Sequence, residues 1–418
     1  MSKSSQQLAE RALARVPGGV NSNVRLGVRE FFFARGEGAR IWDVDGREYV
    51  DYALGQGPML LGHSHAAINA AVAMACAEGM VYGAQHPLEV QAAERFCEVV
   101  GWAERVRFGM TGSEVVHAAL RLSRAATGRE KVVRVTGHYH GWGDTILLDL
   151  GATSAAPASA GQPAAALAGT ELAPWNDAAA IARLLAGDDV AAVIMEPVMF
   201  NSGAFPPAPG FLEEVRRLCT AHGTVLIFDE VITGFRLALG GAVEHFGVVP
   251  DLATYGKAMA GGWPVAAFAG SAALMDRLGD GTINHAGTFN ASVMAAAAVV
   301  STLAVLEADP PYERIAAYGS ELQAGLAEIS RRSGVPLRVE GLPVAFTVAL
   351  DVPGDGGSDP RLRLNRALAA NGIWTTGRGL WFVSDAHREP ELRDTLERVE
   401  RALDAIAAGS EHGEAALA

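Results

Sequence analysis

Two kinds of apolar pattern alternate along the chain. Short runs that are apolar at every position, such as Val225-Leu226-Ile227-Phe228, stop abruptly at acidic or glycine-rich turns; longer stretches between them carry apolar residues at helical spacing. A run with no polar side is the mark of a strand buried on both faces, the situation of a parallel sheet covered by helices. On this pattern strands are expected over residues 106–108, 132–135, 191–195, 224–228 and 265–269, with helices between them. Ahead of these, an amphipathic helix is expected over 4–16, closed by Pro17-Gly18-Gly19, and then a small antiparallel hairpin over 31–52 turning at Asp45-Gly46. Beyond them, a long Ala/Val/Leu helix over 291–306 leads to strands at 337–339 and 344–350, a turn around Gly354-Asp355-Gly356-Gly357, and helices over 361–371 and 389–408. The Ala/Gly/Ser/Pro-rich stretch 151–169 reads as a mobile surface loop and the tail after Gly409 as frayed. The expected fold class is therefore α/β: a large domain with a mostly parallel sheet covered by helices, plus a smaller α+β domain. The expected division is an N-terminal segment, 1–55, packing with the small domain, a large domain over 56–300, and a C-terminal small domain over 301–418.

Composition narrows the function. With 418 residues, half of them hydrophobic, there is material for a large core. A formal net charge of −13 and the absence of a basic run argue against a nucleic-acid surface. No stretch has the length and polarity of a membrane span, and no apolar leader opens the chain, so no membrane partner is expected and the location is read as cytoplasmic. Cys76, Cys97 and Cys219, odd in number and widely spaced, read as reduced core thiols. Lysine occurs only as Lys3, Lys131 and Lys257 among 34 basic residues. Lys257 alone lies among Gly, Ala and Met, where an amine can be desolvated enough to lose its proton.

The strand over 224–228 ends in Asp229 and Glu230, and the short segment 252–255 delivers Lys257 beside Gly256. Acid groups at the carboxyl edge of an α/β sheet stand where such sheets bind ligands. Met110-Thr111-Gly112-Ser113-Glu114 opens a helix whose free N–H groups and dipole suit a phosphate; the plainer alternative makes Ser113 a simple helix cap. In Gly137-His138-Tyr139-His140-Gly141, Tyr139 is either a platform for a planar ring or part of a structural turn. A metal site pairing His138 and His140 with His63 and His65 lacks an acidic or cysteine ligand at suggestive spacing, and no metal is expected. Asp229 with Lys257 is either a structural salt bridge or the two ends of a ligand site. A phosphate, an aldehyde for the amine and a ring nitrogen for the acid together describe pyridoxal phosphate.

These residues lie within a longer series of motifs. In order, the chain carries P-G-G-V-N-S-N-V-R, I-W-D-V-D-G-R-E-Y-V-D-Y, G-P-M-L-L-G-H-S-H, the T-G-S-E helix start, G-H-Y-H-G, V-I-M-E-P-V, I-F-D-E-V-I-T-G-F-R, P-D-L-A-T-Y-G-K and H-A-G-T-F. So read, it resembles the class III (fold type I) pyridoxal-phosphate aminotransferases, and within them the glutamate-1-semialdehyde aminomutase-like branch, over nearly its whole length. The resemblance implies that Lys257 is the Schiff-base lysine and proton shuttle, and that Asp229 is the partner of the pyridine nitrogen. It places Val231 beneath the ring and Tyr139 above it, gives Gly112 and Ser113 to the phosphate, and makes Glu196 the acid supporting hydrogen bonds beside the ring. It also makes Gly287-Thr288 a strap reaching the phosphate of a neighbouring subunit, and hence implies a homodimer with shared active sites.

On the substrate side this chain departs from the aminomutases. Gln56 stands where they carry an aromatic residue before G-P-M, Gly379 stands where they carry a glutamate, and N-A-S-V follows H-A-G-T-F in place of glycine-asparagine-proline. Arg25 matches the position that binds carboxylate in the aminomutases, and Arg378 is similar to an arginine of the β-amino-acid aminotransferases in this branch, with surface solvation as its plain alternative. The leading expectation is an aminotransferase moving an amino group from a carboxylated amine, a β-amino acid being the nearest type, to an oxo acid by a ping-pong cycle. A glutamate-1-semialdehyde 2,1-aminomutase is the alternative, and a non-catalytic pyridoxal-phosphate-binding regulator is the alternative of another class.

Overall fold

The computed structural model describes residues 3–290, 292–352 and 359–409. Two compact units make up the chain: residues 1–65 together with 313–418, and residues 66–312. The sequence pattern had drawn the limits at 55/56 and 300/301. The second limit falls later because the long apolar helix stays packed on elements of the larger unit to its end.

The chain opens with α1 (Lys3–Leu13), shorter than the 4–16 expected and followed by a 3₁₀ turn over Pro17–Gly19. β1 (Phe33–Glu37), β2 (Arg40–Asp43) and β3 (Glu48–Asp51) then form an antiparallel series, turning at Asp45-Gly46 as expected; Gly46 has φ 83°, which that turn requires of its glycine.

The larger unit runs α2 (Ala66–Ala77), α3 (Pro87–Val100), β4 (Arg105–Gly109), α4 (Gly112–Thr127), β5 (Lys131–Val135), β6 (Thr170–Ala173), α5 (Ala178–Leu185), β7 (Val190–Met195), α6 (Phe211–His222), β8 (Val225–Glu230), α7 (Gly241–Phe246), β9 (Leu252–Tyr255), β10 (Ala266–Gly270), α8 (Ala272–Met275) and α9 (Val293–Ala308). Its seven strands order as β4-β10-β9-β8-β7-β5-β6. β9, β8, β7, β5 and β6 pair in parallel, while β10 pairs antiparallel with both β9 and β4. With β10 reversed, β4 points the same way as β9, and six carboxyl ends share one edge. β7 and β8 are buried at every position, the signature of a strand covered on both faces. α4 lies across β4, β10, β9, β8 and β7 and buries Val115, Val116, Ala119, Leu120 and Leu122 against Ile194, Ile227 and Phe268. Each such Val, Leu, Ile or Phe side chain fully removed from water contributes about 1.5–3 kcal/mol. α9 packs on α2, on α3 and on the 3₁₀ turn Lys257–Ala260, so the lysine segment is backed by a helix.

The remainder, α10 (Tyr312–Ser333), β11 (Leu337–Leu342), β12 (Ala345–Leu350), α11 (Pro360–Ala370), β13 (Ile373–Trp374), β14 (Leu380–Phe382) and α12 (Glu389–Ala407), belongs to the smaller unit apart from Tyr312. β13 pairs in parallel with β3, and β11-β12-β14 form a second small sheet. β6 and α10 had not been anticipated. Thr170-Glu171-Leu172-Ala173 carries no unbroken apolar run, whereas α10 places Ile315, Tyr318, Leu322, Leu326 and Ile329 on one buried stripe at helical spacing, a signal present in the sequence and passed over. The turn expected at Gly354–Gly357 and the tail after Gly409 lie outside the described residues, as does Ala291, the expected start of α9. Among the described residues no single helix is long and apolar enough to cross a membrane.

Candidate active site

At the shared carboxyl edge, five strand ends contribute to one pocket. Gly112, Ser113 and Val116 follow β4, Tyr139, His140 and Gly141 follow β5, Glu196 and Asn201 follow β7, Asp229, Val231 and Ile232 come from the end of β8, and Lys257 follows β9. Every one of these residues lies within the unit 66–312.

The helix start is built by Thr111, not Ser113. Thr111 Oγ1 accepts from Glu114 N at 3.3 Å, while Glu114 Oε2 accepts from Met110 N at 2.8 Å and Thr111 N at 3.0 Å, a reciprocal capping box. Ser113 is thus relieved of capping and faces the pocket, where its Oγ accepts from Trp142 N at 3.3 Å. Gly141 shapes the other wall of this cradle. Its φ is 95°, and a Cβ there would come within 2.5 Å of Ser113 Oγ. Gly112 packs closely as well, since a Cβ would meet Val231 Cγ2 at 3.3 Å and the valine would have to give by a few tenths of an ångström. The first turn of a sixteen-residue helix, with two glycines that let the backbone come close, offers the free N–H groups and dipole that suit a phosphate-sized anion.

Asp229 is 5% exposed and accepts three hydrogen bonds, from His140 Nδ1 at 2.7 Å, Thr254 Oγ1 at 3.0 Å and Val231 N at 3.2 Å. Thr254 stands opposite Asp229 in the β8–β9 register, so the two parallel strands carry the acid and, three residues on, Lys257 to the same end of the sheet. Lys257 opens a 3₁₀ turn with φ 46°, a left-handed conformation that is uncommon for a residue other than glycine and tends to gather at functional sites. Glu196 is buried; burial pushes its carboxyl up from the ordinary value, against the neighbouring imidazole of His140 and the donors Tyr139 N (2.8 Å), Asn201 Nδ2 (2.8 Å) and Asn201 N (3.2 Å). Tyr139, 40% exposed, donates its backbone N–H to that acid and lines the pocket.

The two histidines are committed to this scaffold. His138 Nδ1 accepts from Glu196 N at 2.8 Å and His140 holds Asp229, whereas His63 holds Asp51 at 2.7 Å in the other unit. The metal pairing weighed from sequence therefore does not form, and among the described residues no group of three or more acidic, Cys or His side chains could hold a metal ion.

The sequence had missed Asn201, Gly141 and the role of His140. A short acid at a strand end needs a donor, but nothing local shows that the donor comes from the loop after β5, two strands away. Of the residues expected around the substrate, Arg25 is exposed on the 3₁₀ turn Asn23–Val28, Gln56 lies in a turn with φ 74°, and Arg378 is half-buried ahead of β14; all three belong to the unit 1–65 with 313–418. Thr288 is exposed on a turn and is not among the residues lining the pocket.

A helix start suited to an anion, an amine and a thrice-bonded carboxylate, all lining one pocket with Val231, fit the phosphate, aldehyde and ring nitrogen of pyridoxal phosphate, the coenzyme of the fold type I enzymes. The chain matches the model of the family "Aminotransferase class-III" over residues 22–402 and belongs to that family. It is a pyridoxal-phosphate-dependent enzyme of the aminotransferase type. It is 45% identical over 361 residues to a glutamate-1-semialdehyde 2,1-aminomutase of Nitratidesulfovibrio vulgaris (strain Miyazaki F), covering 83% of this chain and 84% of that protein. Among solved structures it is similar to a transaminase with pyridoxal phosphate bound (28% identity, TM-score 0.92, covering 98% of this chain and 99% of that one). A β-phenylalanine aminotransferase from Variovorax paradoxus is similar at 30% identity and TM-score 0.84, covering 97% and 94%.

Proposed function

We propose that this enzyme takes the amino group from a carboxylated amine, with a β-amino acid as the nearest class, and delivers it to an oxo acid in a ping-pong cycle. The observation that carries the aminotransferase chemistry is the convergence of Lys257, Asp229 and the α4 start on one pocket. When bound, pyridoxal phosphate supplies an electron sink for the electron pair left on the carbon bearing the amino group when that carbon gives its proton to a base. The chain does the rest. The N–H groups and hydroxyl at Gly112 and Ser113 would hold the phosphate, Val231 and Tyr139 would flank the ring, and Asp229 would face the ring nitrogen with its orientation fixed by His140 and Thr254. Lys257, the only lysine in an apolar setting, would hold the proton and return it at the neighbouring carbon. Arg25 and Arg378 are proposed to grip the substrate carboxylate, the bidentate task for which a guanidinium is suited.

Gln56 and Gly379, in place of the aromatic residue and glutamate of the aminomutases, support the intermolecular reading. The 45% identity to an aminomutase supports the second, in which the amino group returns to the same molecule. Against a non-catalytic regulator stand the intact Lys257 and Asp229. We further propose a homodimer in which Thr288 serves the partner's phosphate, a reading supported by its exposure away from the pocket of its own chain. The three unpaired cysteines suit the reducing cytoplasm.

The test is a panel of α- and β-amino acids added singly to the holoenzyme while the cofactor band is followed. Conversion by β-amino acids, with regeneration by an oxo acid, is the expected result. Turnover of glutamate semialdehyde with no second substrate would establish the mutase instead, and a Lys257→Ala protein that still transaminated would overturn both.

A further inference from the structure

His138 has no part in the chemistry assigned so far, yet it is wholly buried in the wall behind the pocket. Its Nδ1 faces a backbone N–H, that of Glu196, at 2.8 Å, and an N–H only donates. Nδ1 must therefore be the bare, accepting nitrogen, which leaves the ring proton on Nε2. His140 shows the opposite arrangement: its Nδ1 lies 2.7 Å from a carboxylate oxygen of Asp229, which only accepts, so the proton there sits on Nδ1. The two rings are 5.8 Å apart, edge to face, with Trp175 4.9 Å from His138. The Nε2 atoms of both histidines and Nε1 of Trp175 are buried without a hydrogen-bond partner. Two donors, His138 Nε2–H and Trp175 Nε1–H, and one lone pair, His140 Nε2, thus sit in one polar neighbourhood, the complement of what a single buried water needs.

We propose that His138 and His140 work as one unit: the Glu196 amide fixes the tautomer of His138, and His138, through a shared buried water, holds His140 as the Nδ1–H donor that keeps Asp229 aimed at the pocket. His138 is then a positioning residue. It also joins the two acids of the site, since the same Glu196 whose amide it accepts grips the backbone of Tyr139. Around His138 the charged and titratable groups are Arg134 on β5, Glu196 past β7, His140 on its own loop and, beyond that, Asp229 on β8. Burial, then His140 and Arg134, hold the His138 imidazole well below its ordinary value, so it stays neutral through the working range of pH. Arg134 adds to the lock by donating to the His138 carbonyl.

The inference rests on the reading that Asp229 faces the ring nitrogen, and the test separates the two. Holoenzymes carrying Asp229→Asn, His140→Phe, His138→Phe, His138→Gln and the double His138→Phe/His140→Phe change are compared. The readouts are the pH midpoint of the cofactor absorbance band, the rate of cofactor release into phosphate buffer, and the melting temperature after the cofactor is stripped. Loss of one charge-assisted hydrogen bond corresponds to about a tenfold effect. Asp229→Asn and His140→Phe are expected to shift the midpoint and to speed release about tenfold or more. His138→Phe should shift it in the same direction by less, and His138→Gln, whose amide oxygen can still accept from Glu196 N, should restore most of it. The double variant should be no worse than His140→Phe. A His138→Phe protein that melts earlier with an unmoved midpoint, or a double variant whose effects simply add, would overturn the coupling. An unmoved Asp229→Asn midpoint would overturn the placement of Asp229 itself.

Discussion

Gly141 is the position where a single methyl group tests the cradle. Its φ of 95° is strained for any L side chain, and the added Cβ would lie 2.5 Å from Ser113 Oγ and 2.8 Å from Ser113 Cα. The second contact is with backbone at the start of α4, so no rotamer change relieves it. Gly141→Ala is expected to cost about 1–2 kcal/mol in backbone strain alone and to push Ser113 out of line. Titrating stripped protein with pyridoxal phosphate should show affinity lowered about tenfold or more, since each 1.4 kcal/mol is a factor of ten. Ser113→Ala, which removes one hydroxyl and leaves the backbone donors, should lose less. Lys257, Asp229, Gly112 and Ser113 were legible in the sequence because each breaks its surroundings: an amine in an apolar stretch, an acid ending an apolar run, a glycine opening a helix. His138, His140 and Asn201 were not legible in these roles, since their partners lie on other strands and chemistry so distributed leaves no local spacing to find.

At the scale of elements, β8 does more than deliver Asp229. The strand extends through Glu230, and that second carboxylate, wholly buried, accepts from Ala242 N at 2.6 Å and Thr233 Oγ1 at 3.0 Å, so it staples the turn that begins with Val231 and Ile232 back onto the strand. Gly241 is required for this closure; with φ 71°, a Cβ would approach Glu230 Oε2 to 2.4 Å. Burial raises the Glu230 carboxyl from 4.5 to about 7, opposed by those donors. A raised carboxyl binds more proton folded than unfolded between these two values, so its contribution to stability falls as pH rises from about 4.5 to about 7 and is flat beyond. Glu230→Gln copies the protonated form at every pH. The stability difference between the variant and the parent should therefore move in the variant's favour across that window, by roughly 3 kcal/mol at most, and stop changing above it. Urea unfolding of the stripped proteins at closely spaced pH values is the measurement; parallel curves would remove Glu230 as the titrating group. The unbroken apolar run that revealed β8 as a strand is the kind of signal that carries well, because complete burial leaves no polar position. β6 failed the same test because its Glu171 interrupts the run, although it pairs with β5 along its whole length.

For the molecule as a whole, the residues proposed for the chemistry and those proposed for substrate choice belong to different units of the chain. The pocket is lined wholly from 66–312, while Arg25, Gln56 and Arg378 come from the other unit. The sequence did not show the limits of the units, which depend on what α9 packs against. Thr288 poses the remaining question of assembly, since it sits in the pocket-bearing unit, exposed, and apart from the residues that line the pocket. If it serves a neighbour's phosphate, each site needs Lys257 from one chain and Thr288 from another. Lys257→Ala and Thr288→Ala proteins, each impaired alone, should then complement. In a mixed dimer one site combines both defects and the other combines an intact Lys257 with an intact Thr288. Random exchange places half the chains' sites in mixed dimers and half of those are whole, so about a quarter of parental activity should return on mixing. A threonine acting in its own chain gives no whole site in any pairing. Mixing would then return no more than the average of the two variants, and the strap would have to be abandoned with the shared site it implies.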